Sequence, residues 1–298
     1  VDGSLALCSF KWSANQAQDG RYVHLLTPNQ QKVFTPAPLS PLKKEAVAER
    51  ADADRLHAAY SALLSRLKLI PSHGDELLIR RGLSDTTIAN NLYASVPDFA
   101  EGNRMACDLA ESIDLRGVPG FYRQEGCWRL NTWAKGFYVP YRDERGRIVG
   151  LQIRRDGDAD PKYVWLSSTG LPEGTQAISC VHFVKPDLAR NGQVLITEGA
   201  LKADRISDFL PSSVVALAGV TGCNPQTFTT RLLRALPELR SIVVAFDIDW
   251  QEKREVKKAL ERLIKALRAT SLPINVRKWE PALGKGLDDV LFRAERGE

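Results

Sequence analysis

Two short apolar runs, each closing on acidic residues, constrain this chain more than any other feature. Ser241-Ile-Val-Val-Ala-Phe246 leads into Asp247 and Asp249, and Gln193-Val-Leu-Ile-Thr197 leads into Glu198-Gly199. Both runs are too short and too β-branched for helices, so they predict buried parallel strands that deliver carboxylates where each strand stops. In open α/β sheets the crevice beyond the carboxyl ends of the strands is the usual place for a ligand. Acids converging there suit a hard cation with oxygen ligands, Mg2+ first and Mn2+ as the alternative.

The pattern around these runs fills in a sheet. After His182 it reads strand Val194 to Thr197, helix Leu201 to Phe209, strand Val214 to Leu217 and helix Pro225 to Leu236. Strand Ile242 to Phe246, helix Glu252 to Ala269 and strand Ile274 to Trp279 follow. Such alternation predicts a parallel sheet with helices on both faces. The upstream part has a different texture. Apolar positions Leu56, Ala59, Tyr60, Leu63, Leu64 and Leu67 predict a helix within Lys43 to Leu69, Ser84 is placed to cap a second helix, and a third is expected over 104–115. Cys127–Leu130, Gly136–Pro140 and Ile148–Arg154 read as strands of a small antiparallel sheet, with Arg142-Asp-Glu-Arg-Gly-Arg147 as a hairpin turn. Residues 1–42 combine β-like pieces such as Arg21–Leu25 with the proline-rich Thr35–Pro41, an appendage and linker.

Length and charge bound the partners. With 298 residues, 44% of them hydrophobic, the chain is long enough for about two cored domains. Its formal charge of +5 is compatible with a polyanion. The basic residues Lys135, Arg142, Arg145, Arg147, Arg154, Arg155 and Lys162 fall in one stretch, before the carboxylates. Five scattered cysteines form no C-x-x-C pair, which excludes a readable zinc ribbon or disulfide framework and fits reduced thiols. No apolar stretch reaches membrane-spanning length and the start lacks a signal-peptide pattern, so a cytoplasmic protein with no membrane partner is expected. A start at Val1 rather than Met fits a fragment or a processed protein.

The order Glu198-Gly199, Asp247-x-Asp249 and Lys285-Gly-Leu-Asp-Asp289 resembles the Toprim domain of primases, topoisomerases and some nucleases. Upstream, Arg80-Arg-Gly-Leu-Ser84, Gly136 to Gly150 and Pro161-Lys-Tyr163 resemble the catalytic core of DnaG-type primases, and the likeness runs over roughly residues 55 to 292. Gly150-Leu-Gln-Ile-Arg-Arg155 and Lys162-Tyr-Val-Trp-Leu-Ser-Ser168 are similar to the shortened primase-like Toprim proteins of phages, plasmids and other mobile elements. The resemblance implies an α/β fold, with a C-terminal Toprim domain over 184–298 preceded by a smaller α+β basic subdomain over 43–183. Two departures stand out. Replicative primases carry an aspartate four residues after the motif glutamate, where this chain has Lys202, and their zinc-binding module has no counterpart in these residues.

Carried over position by position, the resemblance makes Glu198, Asp247 and Asp249 catalytic metal ligands, with Asp288 and Asp289 near a later acidic pair that would hold a further ion. Two cations roughly 3.5 to 4 Å apart would clamp the attacking and leaving oxygens of phosphoryl transfer. Glu198 is equally suited to the role of general base. The bland reading of Asp247-x-Asp249 is a pair of strand-end acids capping the next helix. Lys135, Arg147, Arg154, Arg155, Lys162 and Lys285 have the chemistry to grip phosphates, with Tyr138, Tyr163 and Trp165 placed to stack on bases or to pack the core. Arg80 and Arg81 divide between nucleic-acid contact and a helix corner, whereas Lys202 and Asp204 read as an exposed helical face.

The implied activity is primer synthesis by a DNA primase-type nucleotidyltransferase on single-stranded DNA, from nucleoside triphosphates, with a replicative helicase as a candidate partner. A Toprim nuclease, or a nucleic-acid-binding module with weak catalysis, are the alternatives.

Overall fold

The computed structural model describes the backbone of residues 5–8 and 22–25 together with residues 48–297, save the side chains of Arg190 and Gln251. The chain divides into units of residues 1–44 and 45–298. In the first, β1 (Leu5–Cys8) pairs antiparallel with β2 (Tyr22–Leu25). The proline-rich Thr35–Pro41 and the expected helix start at Lys43 lie outside the described residues.

In the second unit, α1 (Ala53–Leu64) begins where the Asp52 carboxylate accepts the Arg55 amide at 2.9 Å. Its apolar face, Leu56, Ala59, Tyr60, Leu63 and Leu64, is buried, each leucine contributing about 1.5–3 kcal/mol. Pro71 opens α2 (Pro71–Asp75), which runs into a π-helical turn, Glu76–Arg80. Ser84 caps α3 (Asp85–Asn90) by accepting the Thr87 amide at 3.1 Å, as its position in the sequence implies. The third helix departs from expectation. Asp98 caps it at the Glu101 amide, so α4 spans Phe99–Ala110 and starts a turn and a half earlier than apolar spacing alone suggests.

After β3 (Ala94–Ser95), a hairpin pairs β4 (Phe121–Gln124) with β5 (Cys127–Leu130). Next come β6 (Gly136–Arg142), β7 (Ile148–Arg155) and β8 (Tyr163–Trp165), giving a four-stranded antiparallel sheet in the order β3-β6-β7-β8. Gly146, at φ 78°, makes the β6–β7 turn. At Gly136, φ 142°, a Cβ would stand 2.0 Å from the Arg154 carbonyl oxygen of the paired strand, so only glycine fits.

The C-terminal sheet has the order β13-β12-β10-β11-β9. Its strands are β9 (Val181–Val184), β10 (Gln193–Glu198), β11 (Ser213–Leu217), β12 (Ser241–Val244) and β13 (Ile274–Val276). β10 to β13 are mutually parallel, and β9 adds an antiparallel edge that the sequence reading did not assign to this sheet. The helices are α5 (Ala200–Phe209), α6 (Pro225–Ala235), α7 (Arg254–Arg268) and α8 (Leu287–Arg296). Period-two alternation splits each strand between two cores. Val194, Ile196, Val215, Ile242 and Val244 pack with Phe228, Leu232, Leu260 and Leu263 from α6 and α7. Leu195, Val214, Ala216 and Val243 pack with Ala203 and Ile206 of α5 and Leu291 of α8. Helices thus cover both faces.

The two sheets meet along α5. Leu77, Leu83, Phe137, Val139 and Tyr141 pack with Ala200 and Leu201 in a shared core. At its side Asp204, 2% exposed, accepts from the Tyr93 hydroxyl and from His182 Nε2 at 3.0 Å. His182 Nδ1 accepts the Arg142 amide at 2.9 Å, so the ring proton sits on Nε2 and points at the carboxylate. Asp204 is therefore a buried tie between sheets, not the exposed helical residue its neighbours suggest. Replacing Asp204 with Ala leaves a buried hydroxyl and a buried ring N–H without acceptors. Denaturant unfolding of the variant is expected to show a loss of about 3 kcal/mol.

Candidate catalytic site and basic groove

β10 ends on Glu198, and Gly199, at φ 83°, swings the chain into α5. Beside it, the Ala245 amide donates to the Ile196 carbonyl at 2.9 Å, extending the ladder past β12 and carrying Asp247 to the same sheet edge. Burial, then the neighbouring Asp247 carboxylate, pushes the Glu198 carboxyl above the usual range. The capping alternative for the acid pair does not hold, because Asp247 makes no side-chain cap to the short 3-10 turn Ile248–Gln251. Its oxygens face lysines. Lys202, in the first turn of α5, bonds Asp247 Oδ1, and Lys285 Nζ lies 3.5 Å from Oδ2. Asp249 Oδ2 receives Lys253 at 2.7 Å and Lys285 at 3.0 Å. Burial raises the Asp249 carboxyl, but the hydrogen bonds and charges of Lys253 and Lys285 together outweigh it and hold the group below its ordinary value.

The later acidic pair separates into two roles. Asp289 Oδ2 accepts the backbone amides of Gly286 at 2.9 Å and Lys285 at 3.1 Å, so it caps α8. Asp288 turns inward, 8% exposed, with Oδ1 buried and unpartnered, and burial raises its carboxyl. Gly286 has φ −106° and needs no left-handed turn. Its hydrogen is required by proximity instead, since a Cβ there would stand 2.2 Å from Asp288 Oδ1, 3.1 Å from Asp247 Oδ1 and 3.3 Å from Lys202 Nζ.

The five carboxylates read as ligands thus do not form one cage. Among the described residues no group of three His, Cys, Asp or Glu side chains is disposed to hold a metal ion. The physical reason is that lysines occupy oxygens of Asp247 and Asp249, and the helix cap has taken Asp289. The donor chemistry nevertheless fits a hard cation. Glu198 and Asp247 are crowded like charges, and Asp288 Oδ1 is a buried oxygen with no donor. Glu198, Asp247 and Asp249 would hold such an ion.

A cleft of about 790 Å³ is lined by five cations, Arg80, Arg81, Arg154, Arg155 and Lys162, and by four acids, Asp75, Glu76, Asp156 and Asp158. Glu76 organises the cations, 3.2 Å from Arg81, 3.5 Å from Arg80 and 3.6 Å from Arg154. The Arg154 guanidinium lies over the Tyr163 ring, and that of Arg155 over Trp133. Tyr163 is exposed, whereas Tyr138 is fully buried and Trp165 packs on Tyr141. Arg81 precedes Gly82, where a Cβ would stand 2.5 Å from the Phe292 ring, so this corner of the cleft abuts the helix that carries Asp288.

Not every residue expected in the groove is there. Arg147 is pinned by Asp143 at 2.7 Å and Asp54 at 2.8 Å, a latch at the hairpin turn. Lys135 lines the adjoining cleft with Trp133 and Phe99. Lys285 stands among the carboxylates. Sequence reasoning missed Lys202 and Glu76. Neither carries a local signal, because Lys202 meets Asp247 and Glu76 meets Arg154 only across the fold.

The fold is similar to that of primase catalytic cores. Residues 188–297 match a family model described as a domain of unknown function, DUF3854. A DNA primase of Deinococcus radiodurans is 24% identical over 254 residues, covering 76% of this chain and 42% of that protein. The chain spans less than half the length of this curated relative. Among solved structures, the zinc-binding and RNA polymerase domains of Aquifex aeolicus primase superpose with a TM-score of 0.61 at 17% identity, over 83% of this chain and 59% of that one. The RNA polymerase domain of Mycobacterium tuberculosis DnaG gives 0.60 at 18%, over 83% and 81%. A DnaG catalytic domain bound to single-stranded DNA gives 0.59 at 18%, over 81% and 75%.

The isolation of Asp288 has a measurable consequence. Its charge is disfavoured in the fold, so Asp288→Asn is expected to stabilise the metal-free protein near pH 7 by about 1 kcal/mol, read as a higher urea midpoint.

Proposed function

We propose that this chain is the catalytic core of a DNA primase-type nucleotidyltransferase that joins nucleotides into short primers on single-stranded DNA. The observation that carries the reading is the meeting of Glu198 and Asp247 at one sheet edge, beside the helix α8 on which the Arg81-Gly82 corner of the mixed-charge cleft is seated. A divalent ion, Mg2+ or Mn2+, bound there would neutralise charge on the reacting phosphate. Glu198, Asp247 and Asp249 would hold it, with Lys253 and Lys285, both more than half exposed, displaced into water. Arg154 and Arg155 grip template or nucleotide phosphates with planar forks of donors, and Lys162 adds a point charge. Tyr163 and Trp133 offer exposed rings for base stacking.

The setting we assign is replication of a phage, plasmid or mobile element, in the cytoplasm, alongside a replicative helicase. No helix among the described residues is long and apolar enough to cross a membrane.

A second reading has a specific observation behind it. Lys202 sits on Asp247, where a metal would otherwise bond, and this favours a nucleic-acid-binding module with weak turnover. Incubation with single-stranded template, labelled ribonucleotides and Mg2+ or Mn2+ separates the cases. Labelled oligomers are expected, falling more than about 100-fold in Asp247→Asn. Retained DNA binding with no oligomers in the unaltered protein would leave only the binding module, and shortened DNA would mean a nuclease. Salt titrations give an independent check on the groove. Arg154→Ala and Lys162→Ala are each expected to reduce the slope of log K against log salt by roughly 0.7–1.

A further inference from the structure

We infer that the Lys202 ammonium is a built-in cation of the carboxylate site, so that the site takes a single divalent ion where the carboxylates alone would take two. The inference rests on the metal-dependent reading above and specifies how that site is loaded. The geometry separates an inner and an outer half. In the inner half, Lys202 bonds Asp247 Oδ1, and Asp288 Oδ1 is buried without a partner. A Cβ on Gly286 would lie 2.2 Å from Asp288 Oδ1, 3.1 Å from Asp247 Oδ1 and 3.3 Å from Lys202 Nζ, so two carboxylates and one ammonium crowd a single point. In the outer half, Asp247 Oδ2 and Asp249 Oδ2 meet Lys285 and Lys253.

Mobility distinguishes the lysines. The Lys285 and Lys253 side chains are 54% and 57% exposed, and water readily takes over their charge when an ion displaces them. The Lys202 side chain is 23% exposed and springs from the first turn of α5, whose Ala200 and Leu201 are fixed in the shared core. Leaving Asp247 would take its charge away from both inner carboxylates at once, and leave buried like charges uncompensated. A divalent ion therefore enters the outer half, on Glu198, Asp249 and the outward oxygen of Asp247, while the inner half keeps its ammonium. An ammonium also brings three N–H donors, so the inner position offers a hydrogen bond to an anionic oxygen where a metal would offer a coordination bond.

Stoichiometry tests this without any turnover. The full chain, stripped of metal, is titrated with Mn2+, and free ion is followed by its electron paramagnetic resonance signal. One equivalent is expected for the unaltered protein and for Lys202→Arg, and two for Lys202→Ala and Lys202→Gln, whose folding circular dichroism verifies. The glutamine variant keeps the stem volume should alanine unfold the site. Adding Asp288→Asn to Lys202→Gln is expected to return the count to one. Two equivalents in the unaltered protein, or one in both neutral Lys202 variants, would overturn the inference while leaving metal-dependent chemistry standing. No binding by the unaltered protein, unchanged by Asp247→Asn, would remove both.

Discussion

Parallel pairing of β10 with β12 is the constraint from which the rest of the site follows. Gln193 to Ile196 lie opposite Ser241 to Val244, so two strands far apart in sequence end at the same edge with their acids a few residues beyond. A one-residue slip would exchange the two cores that alternate along these strands, which is why the register is strongly specified. Once the register is set, Glu198 and Asp247 must share a poorly hydrated space, and the structure has to compensate their like charges. Lysines 202, 253 and 285 answer that electrostatic demand.

Much of this was legible in the sequence because it depends on local signals. Short β-branched runs, Gly199, Gly146 and the Ser84 cap each act through backbone geometry within a few residues, and the elements they predict are present. What escaped depends on tertiary placement. Lys202 and Asp204 lie two residues apart on α5 among charged neighbours, and nothing local says that one reaches across to Asp247 while the other faces a buried Tyr–His pair. Arg147 is the converse case. It has the right chemistry for phosphate and sits in the right stretch, but Asp54, almost a hundred residues away, claims it.

The groove follows a similar logic. Glu76 lies in a π-helical turn, an uncommon geometry that often accompanies function. Its single carboxylate contacts three arginines, which fixes their forks at the cleft wall and lowers the cost of collecting them there. Arg154 and Arg155 are successive residues of β7 and would point to opposite faces on a regular strand, so their shared presence in the cleft depends on the strand ending there. Arg154 covers Tyr163 and Arg155 covers Trp133, giving the cleft two cation–aromatic corners.

The tie between groove and carboxylates is the turn at Arg81-Gly82. Gly82 has φ 66°, and a Cβ there would press into the Phe292 ring of α8 at 2.5 Å, so the basic corner seats directly on the helix that carries Asp288 and Asp289. α8 is capped by Asp289, its sister carboxylate Asp288 is buried next to Lys202, and Arg81 contributes to the field around it. A shift of α8 would therefore move the buried carboxylate and the floor of the basic corner together. Charge balance at the sheet edge and the shape of the groove are thereby joined through one short helix, which makes the closing segment Lys285 to Arg296 as much a part of the site as the strand-end acids.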